Sequence, residues 1–337
     1  MGESSCSIRA RNLTRHFGAK VAVRNLSFDI GQGQIVGFLG PNGAGKSTTL
    51  RILTGALRAT SGYAAVCGLP VPFHSREIRQ KIGYMPENNP LPEDLRVIEY
   101  LRFRARIKGI PLRQRKARIE HALEVCELHR KARRQIIGTL SKGFRQRVGI
   151  ADAILAAPPI TILDEPTIGL DPHQVLGIRR LLNTLRGKTT VIFSSHVLSE
   201  VEISCDRILI LNQGRLVASG TPNALKQEFS PGTRYRIALT CTAEEARERI
   251  GDIPNGWSLG RVDDQSQELT TFDALHPSAD EAVGPLLNHL TRTVPGFLVA
   301  FQPQQPSLEE VFLKATRRSW DVDSAPILAF PETPAPQ

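Results

Sequence analysis

Gly40-Pro-Asn-Gly-Ala-Gly-Lys-Ser-Thr48 sets three glycines ahead of a lysine and two hydroxyls. Glycines let a backbone curl until successive N–H groups converge, and a following helix adds the positive end of its dipole. Such a cradle suits phosphate. Lys46 is expected to reach the β- and γ-phosphates of a nucleotide, and the Ser47 hydroxyl to ligate Mg²⁺. Gly40, Pro41, Asn42, Gly43, Ala44, Gly45 and Thr48 supply the rest of the cradle. The alternative is an ordinary glycine turn. The context argues against it, because the apolar run Gln34 to Leu39 precedes the loop as a strand and Thr49 to Thr54 continues as a helix.

A second segment, Ile160-Thr-Ile-Leu-Asp-Glu165, ends an apolar strand in two carboxylates. A strand of this type puts Asp164 at the carboxyl edge of a sheet, where open α/β sheets bind ligands. Asp164 can hold Mg²⁺ through its water, and Glu165 can polarise the water that attacks a phosphate. Alone this pattern is weak and also fits a strand end with a helix cap. Beside a phosphate loop it predicts a chain that binds and hydrolyses ATP with Mg²⁺.

The elements that must position these residues alternate between strand-like and helix-like over the first two-thirds of the chain, as in a mostly parallel α/β sheet. Ile8 to Leu13 and Val21 to Ile30 read as strands joined at Phe17-Gly-Ala19, and Thr60-Ser-Gly62 as a break before the next strand. About Pro92 to Gly138 is helical and polar, with Val97, Tyr100, Leu101 and Phe103 as its apolar face. Thr190 to Phe193 and Arg207 to Leu211 are further strands, and Asn212 to Arg215 is a hairpin turn. Phe229 to Thr233 is the expected linker. A small α+β module follows it, with strands at Arg234 to Thr240 and Phe297 to Phe301 and helices at Ala243 to Ile250 and Glu281 to Leu290. Ser307 caps a last helix carrying Leu308, Val311, Phe312 and Leu313. The proline-rich tail after Trp320 reads as disordered.

No apolar run reaches the roughly 20 residues of a membrane span, and the N-terminus lacks a secretory pattern. Five scattered cysteines without a C-x-x-C pair suit a reducing compartment and argue against a zinc site. The expected location is the cytoplasm. Net charge is +10, and Arg96 to Arg147 carries sixteen Lys or Arg against four Glu and no Asp. That stretch is either a solvated helix surface or a contact for nucleic acid, anionic lipid or an acidic protein.

The phosphate loop, Leu140-Ser-Lys-Gly-Phe-Arg-Gln-Arg147, Asp164-Glu-Pro-Thr-Ile-Gly-Leu-Asp-Pro172 and Ser194-Ser-His196 follow one another in an order that resembles the ATP-binding cassette (ABC) ATPases, over about Ile8 to Glu228. The resemblance implies a P-loop NTPase fold of the ABC type, with a mixed sheet core and a helical subdomain at about 88–154. It implies a nucleotide-binding domain over 1–228, a linker at 229–233, an accessory α+β domain over 234–318 and a tail over 319–337. It further implies a head-to-tail pair of such chains, or a pairing with a related ATPase, each ATP lying between one phosphate loop and the partner's Ser141 and Gly143. Their place before a helix would let a hydroxyl, an N–H and a helix dipole face the γ-phosphate. By the same resemblance His196 contacts the γ-phosphate, Asp171 belongs to the loop at the dimer interface, and Phe17 stacks on adenine.

Three positions depart from the common family pattern. Glu87, in Ile82-Gly-Tyr-Met-Pro-Glu87, stands where many members have a Gln that meets Mg²⁺ and water. The signature reads Leu-Ser-Lys-Gly-Phe rather than Leu-Ser-Gly-Gly-Gln, and Phe17 replaces Tyr. These variants, and the ending Pro306-Ser-Leu-Glu-Glu-Val-Phe-Leu313, resemble the ATPases of ABC-2-type exporters, including the gliding-motility-like group. That branch implies a motor subunit, peripheral on the inner face of the cell membrane, driving a separate transmembrane permease. The alternatives are a soluble ABC ATPase acting on ribosomes or nucleic acid, and an importer ATPase. The absence of a second cassette, coiled coil or zinc element argues against the former, and Glu87 with the Ser-Leu-Glu-Glu ending against the latter.

Overall fold

The computed structural model describes residues 6–321 apart from 129–131, 230–231, 252, 254–255, 267–268, 278–282 and 305. The expected disorder after Trp320 falls, from 322 on, outside the described residues, as does Glu281. Two compact units are present, one built from the chain up to Pro222 and from Ala315 on, the other from Asn223–Lys314.

In the first unit β1 (Cys6–Phe17) and β2 (Lys20–Gly31) form the expected hairpin, and β3 (Ile35–Leu39) runs into α1 (Lys46–Leu53). After β4 (Ser61–Val66) and β5 (Leu69–Pro70), α2 (Ser75–Lys81) leads to β6 (Ile82–Met85). The helices α3 (Val97–Ile107), α4 (Leu112–Val125) and α5 (Lys142–Ile154) come next. The alternation then resumes with β7 (Ile160–Leu163), α6 (Pro172–Leu185), β8 (Thr190–Ser195), α7 (Leu198–Ser204), β9 (Arg207–Asn212) and β10 (Arg215–Gly220). Ser61 and Gly62 belong to β4 rather than to a break before it, because Gly62 fits where a Cβ would strike the Asn12 carbonyl of β1 at 2.3 Å.

One sheet runs β10-β9-β3-β8-β7-β6, parallel except for the β10–β9 hairpin, and an antiparallel sheet runs β2-β1-β4-β5. All residues of β3, β7 and β8 are buried, as continuous apolar strands covered on both faces should be. The register decides what the sheet delivers. Leu39 pairs with Ser195, and Leu163 with Phe193, so the chain leaves β3, β7 and β8 at one common edge. Gly40, Asp164 and His196 are the residues that follow. The two sheets and α1 share one core, in which the Phe28 and Phe38 rings meet edge to face at 5.5 Å.

Helices α3, α4 and α5 pack on one another. Val97, Tyr100, Leu101 and Ala105 form the buried face of α3, while Phe103 is 53% exposed. The expected face thus holds except at Phe103. Positions 97, 101 and 105 recur every four residues, and 103 falls on the opposite side.

After α8 (Pro222–Phe229), β11 (Thr233–Leu239), β12 (Ser258–Ser266), β13 (Leu269–His276) and β14 (Leu298–Gln304) form an antiparallel sheet in the order β12-β13-β11-β14. With α9 (Ala243–Ile250) and α10 (Gly284–Thr293) it encloses Ile237, Leu239, Phe272, Ala274, Leu286 and Leu290. Thr242 caps α9 through a capping box with Glu245, and Ser307 accepts the Glu310 N–H at 3.2 Å at the start of α11 (Leu308–Asp321). Strands β12 and β13 were not expected from the sequence.

Gly83 of β6 shows how closely α5 approaches the sheet, because a Cβ there would lie 2.0 Å from the Ala153 carbonyl oxygen. Backbone cannot yield as a side chain can. Gly83→Ala is expected to cost about 1–3 kcal/mol, read as a thermal midpoint lowered by roughly 2–10 °C.

Candidate active site

The phosphate loop is shaped by contacts only glycine permits. A Cβ on Gly40 would meet the Leu211 carbonyl at 2.4 Å, and one on Gly45, at φ +99°, would meet the Ala22 carbonyl at 2.5 Å. Helix α1 starts at Lys46, three residues before Thr49, with no acidic residue in its first turn to neutralise its positive end. Lys46 is 5% exposed. Its Nζ donates to the Gly40 carbonyl at 2.7 Å and lies 3.2 Å from Glu165 Oε1. The latter contact is ionic without hydrogen-bond alignment, since Oε1 has no aligned donor.

Asp164 and Glu165, both buried, stand side by side at the end of β7. Asp164 Oδ1 accepts from Ser194 Oγ at 2.6 Å and from Ser47 Oγ at 3.1 Å, while among the described residues Oδ2 has no hydrogen-bond partner. Burial pushes the Asp164 carboxyl above the ordinary carboxylate range. Hydrogen bonds from Ser194 and Ser47 oppose that shift, and the neighbouring Glu165 charge adds to it. Glu165 has a left-handed backbone, φ +50°, and its N–H donates to Ser194 Oγ at 2.8 Å. Its Oε2 lies 2.9 Å from His196 Nδ1, so one carboxylate is shared between Lys46 and His196.

A cavity of about 530 Å³ opens over the loop. Pro41 to Thr48 line it, with Phe17, Lys20, Ala22, Glu87, Glu165 and Ile168. Phe17 is 47% exposed at this wall and carries the Arg15 guanidinium 4.6 Å from its ring centroid.

The ABC transporter family profile matches residues 23–168. A Nod factor export ATP-binding protein I of Mesorhizobium japonicum is 39% identical over 322 residues, covering 94% of this chain and 89% of that one. Linearmycin resistance ATP-binding protein LnrL of Bacillus subtilis is 33% identical over 315 residues, 93% of this chain and 99% of that one. The chain belongs to the ATP-binding subunits of ABC transporters. Among solved structures, an ATP-binding subunit of an ABC transporter superposes with a TM-score of 0.60 at 30% identity, over 66% of this chain and 92% of that one. A dimeric ATP-binding cassette in a post-hydrolysis state with ADP and Pi gives 0.59 at 27%, over 64% and 98%. Membership makes this subunit an ABC-type ATPase.

Not every expected site residue of this ABC ATPase gathers at the cavity. The carboxylates, Lys46, Ser47, His196, Glu87 and Phe17 lie at or beside it, whereas Ser141, Gly143 and Asp171 are absent from its walls. Ser141 is the N-cap of α5 and accepts the Phe144 N–H at 3.5 Å. Gly143 therefore lies inside the first turn rather than ahead of the helix. It is buried, and a Cβ there would come within 2.6 Å of the end of the Gln174 side chain, which would have to move aside. Asp171 caps α6, accepting the Gln174 N–H at 2.9 Å. Lys20 and Ser194 were missed by the sequence reading. Lys20 is one basic residue among 43 Lys and Arg, but two hydroxyls closing the apolar strand Thr190–Ser195 were a signal that polar partners await there.

Ser194→Ala removes the acceptor of the Glu165 N–H and the shortest bond to Asp164. The expected result is a loss of about 1–3 kcal/mol in denaturant unfolding, together with slower ATP turnover.

Proposed function

We propose that this chain is the motor of a membrane exporter, two copies closing head to tail over ATP to drive a separate transmembrane permease. The observation that carries this reading is the division of the site. One region holds the phosphate loop with Asp164, Glu165 and His196, and a second helix start, Ser141 at α5, lies off that cavity's walls. Helix α5 also has no acidic residue in its first turn, so its positive end is available to an anion. A partner copy would bring that end, with Asp171 beside it, to the γ-phosphate.

Within each half Lys46 would bind the β- and γ-phosphates, and His196 would contact the γ-phosphate. Phosphate oxygens compete with Glu165 for Lys46, and the carboxylate so released can take a proton from the attacking water. Phe17 would stack on adenine, with Arg15 on its ring already. The residues fit Mg²⁺: the unpartnered buried Oδ2 of Asp164 is a hard oxygen in need of a cation, and the Ser47 hydroxyl is bonded to the same carboxylate. Ser47, Asp164 and Glu87 would hold the ion, which would supply charge neutralisation on the phosphates.

The functions named for the relatives, Nod factor export and linearmycin resistance, favour export. Among the described residues no helix is long and apolar enough to cross a membrane, so the permease is assigned to another chain. This subunit would sit on the inner membrane face. Its exposed basic residues on α3 and α4, Arg102, Arg106, Arg113 and Lys116, would suit the anionic leaflet. The C-terminal unit is an accessory module in this assignment.

Glu165→Gln keeps the shape and removes the base. It is expected to cut ATP turnover about 10²–10⁴-fold and to retain ATP in a dimer on size-exclusion chromatography. Turnover near wild type would remove Glu165 from the role of base, and an ATP-loaded monomer would overturn the shared site.

A further inference from the structure

One buried carboxylate has no part in the chemistry above. Glu200, in the first turn of α7, is 7% exposed, and among the described residues no Lys or Arg forms an ion pair with it. Its Oε2 accepts from Thr167 Oγ1 at 2.5 Å and from Ser195 Oγ at 3.2 Å. Ser195 Oγ in turn accepts the Val197 N–H at 2.9 Å, bridging the backbone on both sides of His196.

These bonds close a ring. From Glu165 the chain runs two residues to Thr167, crosses to Glu200, crosses again to Ser195, passes to His196 and returns through Nδ1 to Glu165 Oε2 at 2.9 Å. The segment between Glu165 and Thr167 starts from a left-handed residue and turns back on itself, with the Ile168 N–H on the Glu165 carbonyl at 3.3 Å. His196 is exposed just beyond the end of β8, so the strand alone does not fix it. We propose that Glu200 is a positioning residue that couples the placement of Glu165 to that of His196. One oxygen holds both hydroxyls, so the loop after Glu165 and the backbone at His196 cannot shift independently. A purely packing role would be served at lower cost by an apolar side chain, since a buried charge must be desolvated and then satisfied. The inference rests on the reading that Glu165 and His196 act on the γ-phosphate.

The test is steady-state ATPase of the full chain, with a fluorescent ATP analogue for affinity and thermal unfolding for integrity. Glu200→Ala is expected to lower kcat about 10–100-fold, as a displaced catalytic group does, with KM and analogue affinity within about twofold. Combined with His196→Ala it should add little further loss, because both variants break the same ring. Glu200→Gln should recover most of the rate, since one amide oxygen can accept both hydroxyls as Oε2 does. Thr167→Val removes a single link and gives an intermediate rate, which keeps the test alive if Glu200→Ala does not fold. A wild-type kcat in Glu200→Ala, a loss that multiplies with that of His196→Ala, or a Gln variant as slow as the Ala variant would each overturn the proposal. If instead His196→Ala and Glu165→Gln both turn over at the wild-type rate, the underlying reading of the site fails, and this inference with it.

Discussion

Two adjacent carboxylates, Asp164 and Glu165, are buried at the end of one strand, and the site is arranged around keeping both of them there. Neighbouring buried charges of one sign disfavour each other, and burial disfavours each alone. The chain meets that cost with side chains from the start of α1 and from the end of β8. Ser47 and Ser194 bond to Asp164, Lys46 and His196 face Glu165, and Ser194 also takes the Glu165 N–H. None of these partners is near Asp164 in sequence. They meet because β3, β7 and β8 are parallel and in a register that ends them together.

That dependence separates what the sequence discloses from what it hides. The phosphate loop was legible because backbone shape forces its glycines and phosphate chemistry forces its lysine, so all the demands fall on nine consecutive residues. Asp164, Glu165 and His196 were legible because each follows an apolar run, which marks the carboxyl end of a buried strand. Ser194 was not singled out. Its two-hydroxyl strand end was a signal that polar partners await there, but which partners they are is a property of the β7–β8 register. Glu200 was hidden for the same reason, since an acidic residue in a short polar helix is ordinarily solvent-facing and only the tertiary structure turns it inward.

The fold shows the same division. Strands covered on both faces, β3, β7 and β8, were read from unbroken hydrophobicity. Strand β12 was not, because Ser258-Leu-Gly-Arg-Val-Asp-Asp-Gln-Ser266 has few apolar residues and no regular alternation. Phe103 misled for the opposite reason. Its type argued for the core while its position, two residues from Leu101 on a helix, put it on the far side. Residue type and residue spacing are separate evidence, and on α3 spacing was the better guide. At Arg96 to Arg147 composition also overstated the free charge. Arg104 and Lys108 lie on Asp152, Arg133 on Glu120 and Arg147 on Glu127, so part of the basic excess is spent inside the helical layer.

The two helix starts, α1 and α5, are alike in electrostatics and different in setting. Each lacks an acidic residue in its first turn, and each has a lysine at its first position, Lys46 and Lys142. Lys46 is buried and tied to Gly40 and Glu165, the second a contact with which a bound phosphate would have to compete. Lys142 is exposed, with its Nζ over Gly169, where a Cβ would come within 2.3 Å of it. A helix end costs little to leave in water and gains from any anion brought to it. In a two-fold pairing each copy presents the same surfaces to the other, so one anion-seeking end supplied per chain would complete two equal sites. On that argument Ser141 and Asp171 need no role in the cavity of their own chain. Their capping bonds hold the starts of α5 and α6 in shape, and Gln174 of α6 lies against Gly143 of α5.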